Sequence, residues 1–419
     1  MSFTRRHMLA ATGMAVATAP FALRPVAAQE AGRIVVVGGG FGGGTVARLL
    51  AGAGHDVTLV EKNARFSTCP FSNTVLGGLN PMEAITFSLD GIAATGARIV
   101  QGEAVGVDGQ SLMLASGEAL PFDRLVLSPG IDLRFDAISG YDEAAAEIMP
   151  HAWKAGPQTE LLRSQLEAMP DGGTVAICPP ANPFRCPPGP YERASLIAHY
   201  LKAEKPNSKI LILDAKDGFS KRDLFEEAWA TLYPGMIEWV PFSLGGNVTS
   251  VDPAAMTITT DFDSYEVDVA NIIPPQRAAA IAQAVGVADE TGWCPVDGVT
   301  FESTLMPGIH VLGDASLAGA MPKSGFSANA QGKVVAAAID AMLRGEDPQS
   351  PKYINTCYSL AGPDYGFTVA GTYEVTGGEI VSIDGTGGTS PLGAGEDVHA
   401  AEADYARAWY ETVTRQIWG

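Results

Sequence analysis

Two stretches of the chain carry the same order of apolar and polar positions. In the first, the unbroken run Ile34-Val35-Val36-Val37 leads into Gly38-Gly39-Gly40-Phe41-Gly42-Gly43, a helical periodicity over 45–53, and Asp56-Val57-Thr58-Leu59-Val60, which ends on Glu61. A short continuous apolar run that stops at glycines reads as a strand covered on both faces, and strand, turn, helix and strand together read as a parallel β-α-β unit. In the second, Gly173-Thr174-Val175-Ala176-Ile177 precedes a helix predicted over 193–202 and the strand Lys209-Ile210-Leu211-Ile212-Leu213, which ends on Asp214. The layout repeats; the turn does not.

Further strands are predicted over 125–127, 237–241, 256–260, 271–275 and 309–312. An alanine-rich helix runs to Leu343, and a linker over 345–351 opens a smaller region with a hairpin around Thr376-Gly377-Gly378 and a final helix over 397–418. The pattern predicts an α/β fold with two dinucleotide-type units and a small C-terminal α+β domain. The boundaries are 29–149 with 290–345 for the first unit, 150–289 for the second and 346–419 for the third.

Gly38, Gly40 and Gly43 fit G-x-G-x-x-G, in which glycines let the backbone approach a pyrophosphate at a helix N-terminus. Glu61 stands where a carboxylate accepts hydrogen bonds from an adenosine ribose, and Lys62 follows it. Downstream, Leu125-Val126-Leu127-Ser128-Pro129-Gly130 reads as the strand and turn that leave this unit. Ile309-His310-Val311-Leu312-Gly313-Asp314 ends in Gly-Asp, the place where two-dinucleotide flavoproteins set an aspartate on the ribityl and pyrophosphate part of FAD. These signs favour FAD over NAD, and Gly130 and Asp314 join the candidate cofactor residues. The helix after Ser324-Gly325-Phe326 would aim its positive end at the flavin and stabilise the reduced anion.

In the second unit the turn is replaced by Asn182-Pro183-Phe184-Arg185-Cys186-Pro187-Pro188-Gly189-Pro190-Tyr191-Glu192. Prolines have no N–H to give a pyrophosphate, so an NAD(P)H site is not expected. The loop instead presents a cysteine, with a glutamate six residues on.

The chain has 419 residues, 48 glycines and a formal charge of −20. Thr4-Arg5-Arg6-His7-Met8-Leu9, a weakly apolar segment and Val26-Ala27-Ala28 read as a twin-arginine signal over 1–28, too short to be a membrane anchor. Its removal takes away three arginines and no acid, leaving −23. So acidic a surface disfavours nucleic acid and anionic lipid as partners and suits a basic one. Export implies the periplasm, where disulfides persist. The cysteines are Cys69, Cys178, Cys186, Cys294 and Cys357, an odd number, with neither haem-attachment nor zinc-ligand spacing. The final helix carries Glu402, Asp404 and Glu411 beside its tryptophans, which suits packing or an interface more than a membrane surface.

The Cys69-x-x-Ser72-Asn73 context, Phe184-Arg185-Cys186-Pro187-Pro188-Gly189-Pro190-Tyr191-Glu192-Arg193, Pro322-Lys323-Ser324-Gly325-Phe326-Ser327-Ala328-Asn329 and Asn355-Thr356-Cys357-Tyr358-Ser359 resemble the flavoprotein subunit of flavocytochrome c sulfide dehydrogenase. The resemblance extends over the whole mature chain and implies a glutathione-reductase-like fold. It implies a thioether from Cys69 to FAD, a redox disulfide between Cys186 and Cys357, Glu192 as acid/base and Trp409 as an aromatic near the flavin. Cys178 and Cys294 are left as structural thiols or a second bridge. The implied chemistry is attack of hydrosulfide on the disulfide, passage of two electrons to FAD and delivery to a separate c-type cytochrome subunit. Arg185 and Lys323 would favour thiolate or reduced flavin. The alternatives are a sulfide:quinone oxidoreductase, an accessory flavoprotein that binds or reactivates a thiosulfate-oxidising complex and, weakest, an NADH-dependent disulfide reductase. No integral membrane segment is expected.

Overall fold

Each of the two apolar runs becomes the middle of a parallel sheet. In the computed structural model, which describes residues 32–419, Arg33–Val37 lies inside a five-stranded sheet. Its strand order is Ile309–Val311, Arg124–Leu127, Arg33–Val37, Asp56–Glu61 and Arg98–Gln101, all parallel. The second sheet is also parallel, in the order Ile237–Val240, Lys209–Leu213, Thr174–Cys178 and Val269–Ile272. Strands without polar alternation need cover on both faces, and Val36 and Ile177 are both fully buried. The signal segment read at 1–28 lies outside the described residues.

The two parallel sheets place their strand ends, and the turns that follow, around one region, and the described residues pack as one compact unit. The helix after the proline loop spans Gly189–Glu204, four residues earlier than the periodicity predicts. Proline at the first helical positions lacks only an N–H that has no helical acceptor anyway, so what reads as loop is already helix. Glu192 therefore sits in a first turn. The Gly325–Leu343 helix starts at its motif, with Ser324 as the cap accepting from Ser327 N at 3.0 Å.

The hairpin predicted at Thr376-Gly377-Gly378 is present, with both glycines in the left-handed region. A longer hairpin preceding it, Lys352–Gly362 against Tyr365–Thr376, is not legible as alternation, because the burial of its first strand is irregular. Where this hairpin meets the Glu396–Trp418 helix, Gly366 allows close contact: a Cβ there would lie 2.4 Å from Ala403 N. The helix then returns to the first glycine turn, where Trp418 Nε1 donates to Gly39 O at 3.0 Å. A Cβ on Gly91 would lie 2.1 Å from Trp418 O, so that contact also needs glycine. Among the described residues, no helix is long and apolar enough to cross a membrane.

Candidate active site

The first glycine turn is shaped for close approach. Gly38 has φ +96° and a Cβ there would fall 2.3 Å from Ser128 O; one on Gly43 would fall 2.0 Å from Gly38 O. Glu61 is buried and bonded back to the turn, accepting from Gly39 N at 2.8 Å and from Asn63 N at 3.0 Å. From this turn one cavity runs along Lys62 and Gly130, past Asp314, Ser324, Gly325 and Phe326, to Cys69, Cys186, Glu192 and Cys357, with Trp409 on its wall. Gly38, Gly40 and Glu61 line it as well. Gly43 does not: it packs on the turn's own backbone and starts the Gly43–Gly52 helix, so its part in cofactor binding is indirect.

These residues fit FAD. A Cβ on Gly40 would lie 2.9 Å from Phe66 Cζ, and one on Gly325 would lie 3.1 Å from Pro70 Cγ and 3.4 Å from the Phe41 ring, so the cradle is built to the width that glycine leaves. The N-terminal ends of the Gly43–Gly52 and Gly325–Leu343 helices both reach the cavity wall, supplying positive potential for a pyrophosphate and for a reduced ring. Trp409 stacks with Phe41 and Phe326, their centroids 6.4 and 5.8 Å from its own, giving the chamber an aromatic side.

Cys186 is held in the left-handed region, φ +53°, a strained conformation for a residue with a β-carbon. Its N–H donates to Lys323 O at 2.8 Å, and its carbonyl accepts from Gly189 N at 2.8 Å. Gly189 is needed there, since a Cβ would meet Trp153 Cη2 at 2.7 Å and Cys186 Sγ at 3.0 Å. Cys357 comes from the Lys352–Gly362 strand, opposite Val369. Both cysteines are half-buried on the cavity wall. Burial raises both thiol pKa values, and for Cys186 the nearby Cys357 adds to the rise. The structure thus brings together two residues 171 positions apart in sequence, but as free thiols: the disulfide implied by resemblance is not formed here. Cys178 and Cys294 are also free and buried, so the second bridge is absent, and burial pushes Cys294 up to about 12.

Glu192 is fully engaged. Its Oε2 accepts from Asn73 Nδ2 at 2.8 Å and its Oε1 from Leu360 N at 2.9 Å. Burial nonetheless lifts its carboxyl above the usual range. Asn73 also accepts from Arg193 Nε at 3.0 Å, and that buried guanidinium donates further to Asn271 Oδ1 at 2.8 Å and Ala152 O at 2.7 Å. Arg185 pairs with Asp314 at 3.7 Å and donates to Trp153 O, the carbonyl that Cys69 Sγ also contacts at 3.3 Å. Lys323 donates to Asp314 O and Ser316 O and lies 3.9 Å over the Trp293 ring; burial lowers its pKa to about 8.

Two residues of this network escape the sequence reading. Asn73 is visible only as part of a motif. Lys221, buried with φ +63°, donates to Cys357 O at 2.8 Å and Ser359 Oγ at 2.7 Å. No local signal marks it, since it stands 35 positions beyond Cys186 and lies outside every motif.

The second unit has no room at its acid. Asp214, the counterpart of Glu61, is fully buried and accepts from Tyr191 Oη at 2.5 Å and Trp239 Nε1 at 2.9 Å, with Lys216 Nζ at 2.6 Å. Phe219 stacks on Tyr191 with centroids 3.5 Å apart. A ribose has no access to that carboxylate.

Residues 159–274 match the family described as sulfide dehydrogenase (flavocytochrome c) flavoprotein chain, central, and 349–418 match flavocytochrome c sulphide dehydrogenase, flavin-binding. Residues 32–165 match pyridine nucleotide-disulphide oxidoreductase. The flavoprotein chain of sulfide dehydrogenase (flavocytochrome c) from Chlorobaculum thiosulfatiphilum is 56% identical over 45 residues, 10% of this chain and 94% of that sequence. Among solved structures, the sulfide:quinone oxidoreductase of Aquifex aeolicus superposes with a TM-score of 0.71 at 18% identity, covering 92% of both chains. The covalent putidaredoxin reductase–putidaredoxin complex gives 0.63 at 17% identity, covering 89% of this chain and 93% of that one. At such identities the structural likeness speaks for the fold: the α/β flavoprotein reductase architecture expected from the two β-α-β units.

Proposed function

The chain belongs to the flavocytochrome c sulfide dehydrogenase flavoprotein family, and from that premise we propose that it oxidises sulfide through Cys186 and Cys357 and passes the electrons to a c-type cytochrome subunit. The observation that carries this reading is the meeting of both cysteines and Glu192 on the wall of the cavity that begins at the glycine turn. FAD, held by Gly38, Gly40, Glu61, Lys62, Gly130, Asp314 and the Ser324-Gly325-Phe326 helix start, would supply the acceptor for two electrons.

In the oxidised state Cys186 and Cys357 share a disulfide. Hydrosulfide attacks one of its sulfurs; that S–S bond breaks, a new one forms to the incoming sulfur, and the other cysteine leaves as a thiolate. Glu192, with its carboxyl raised by burial, takes the proton of the persulfide so formed. With bound FAD supplying the two-electron acceptor, thiolate and persulfide would re-form the disulfide and release one zero-valent sulfur, the proton having gone to Glu192. The Cys186 loop positions its thiol through the left-handed turn, and the Lys352–Gly362 strand positions the other. The twin-arginine pattern supports a periplasmic setting for this chemistry, and the acidic surface suits a basic cytochrome.

The test is direct. Sulfide should reduce the bound flavin and then added cytochrome c, and Cys186→Ser should abolish both. Flavin reduction by NADH, or an unchanged sulfide reaction in Cys186→Ser, would sink the reading.

A further inference from the structure

Lys221 is a buried cation held by neutral acceptors, and the carboxylate that feels its charge, Glu192, lies beyond ion-pair distance. Its Nζ donates to two neutral acceptors, Cys357 O at 2.8 Å and Ser359 Oγ at 2.7 Å, and lies 5.5 Å from the Phe367 ring centroid. No carboxylate lies within ion-pair distance of it among the described residues, whereas Lys216, on the same domain, has Asp214 at 2.6 Å. A buried ammonium without an anion is unfavourable unless an anion forms nearby. Its backbone is also left-handed, a strain that a lysine carries only where surrounding structure holds it.

The anions that can form within its reach are few. Glu192 interacts with Lys221 and with both cysteines, but its two oxygens are already engaged by Asn73 Nδ2 and Leu360 N. Cys357 faces Lys221, Glu192 and Tyr373. Cys186 interacts with Cys357, Cys69, Glu192 and Lys221, and with the guanidinium groups of Arg185 and Arg193. Lys221 lies behind the cavity wall, so it touches neither sulfide nor a flavin, and it acts through the cysteine whose carbonyl it holds.

We propose that Lys221 is a positioning residue whose ammonium stabilises the reduced, thiolate form of the Cys186 and Cys357 pair, and so sets the reduction potential of that couple. This deepens the redox-pair reading and rests on it. A cation beside a thiolate favours ionisation, and stabilising the reduced form makes a disulfide a stronger oxidant. Sulfide oxidation needs such a disulfide.

The experiment uses the full FAD-loaded protein without sulfide. Thiolate ultraviolet absorbance is titrated against pH and corrected with a Cys186→Ser/Cys357→Ser variant, and the dithiol-disulfide balance is read in glutathione buffers. Lys221→Met should raise the lower thiol midpoint by about one pH unit, so that thiolate at neutral pH falls about tenfold. At a pH above the thiol midpoint, the variant's disulfide should also survive in a buffer about tenfold more reducing, because the reduced form has lost the cation that stabilised it. Lys221→Arg should restore both. A Met variant that keeps wild-type flavin content and melting, yet shows both midpoints unchanged, overturns the proposal. Should Lys221→Met fail to fold, Ser359→Ala, which removes one of the two acceptors, must displace the thiol midpoint from the wild-type value; no displacement overturns it too. Absence of sulfide turnover in the unaltered protein, with these shifts still seen in the variants, would count against the sulfide reading alone.

Discussion

Asn73 Nδ2 donates to Glu192 Oε2 at 2.8 Å, while the same side chain accepts from Arg193 Nε at 3.0 Å. One amide therefore holds the candidate proton carrier and ties it to a buried guanidinium. It does so from the short segment that also carries Cys69.

Glu192 should give sulfide-dependent flavin reduction an acidic limb. Burial raises its carboxyl, so the base form is lost as pH falls through a value above the ordinary glutamate range. Glu192→Gln should remove that limb and slow reduction by about 10²–10⁴-fold, the usual worth of a positioned acid/base. Asn73→Leu, which deletes a bond favouring the carboxylate, should move the limb to higher pH. Stopped-flow reduction across pH checks both. The linked stability effect has the opposite sense: an acid whose pKa rises on folding favours the fold below its unfolded value and loses that contribution as pH rises through its folded one. Glu192→Gln should flatten that part of a melting-temperature profile.

Cys69 lies half-buried on the cavity wall with its thiol 3.3 Å from Trp153 O, beside Arg185. A thioether from this sulfur to FAD predicts that acid precipitation carries the yellow colour into the pellet. Cys69→Ser should release it to the supernatant while leaving the fold intact. Yellow supernatant from the unaltered protein would dismiss the covalent link and leave the cradle untouched.

Trp418 packs against Phe41, Phe66 and Phe87, with centroids 5.0–5.3 Å apart, and donates to Gly39 O. Trp418→Ala should lower stability by about 3–5 kcal/mol, as for other buried aromatic truncations. Because the lost contact is to the glycine turn itself, flavin retention should fall more than for a truncation of equal cost at Trp229. Thermal melts with and without added FAD separate the two effects.

Much of this was legible because parallel strands leave a strong trace. Unbroken apolar runs located both β-α-β units, and the prolines around Cys186 announced a missing nucleotide turn. Glu192 and Cys357 were named from motifs, and the structure brings them to one wall. What the sequence hid was long-range placement. Lys221 reaches Cys357 across 136 positions, through a left-handed backbone that nothing local demands. The long hairpin around Cys357 was hidden for a related reason: the middle of its first strand borders the cavity, so its residues are half-buried on either face and lose the two-residue alternation of a sheet with one wet side. Gly189–Glu204 began early because prolines, read as loop, can also open a helix.

The packing of Phe219, Tyr191 and Trp239 around Asp214 closes the second acid to a ribose, and under the proposed function that would leave the protein a single input. A reductase with two open nucleotide clefts is plugged into the cell's NADH pool and can run either way with it. With the carboxylate of the second cleft occupied from within, the proposed function would run without that short circuit. A catalyst insulated in this manner can work in a compartment that contains no pyridine nucleotide at all.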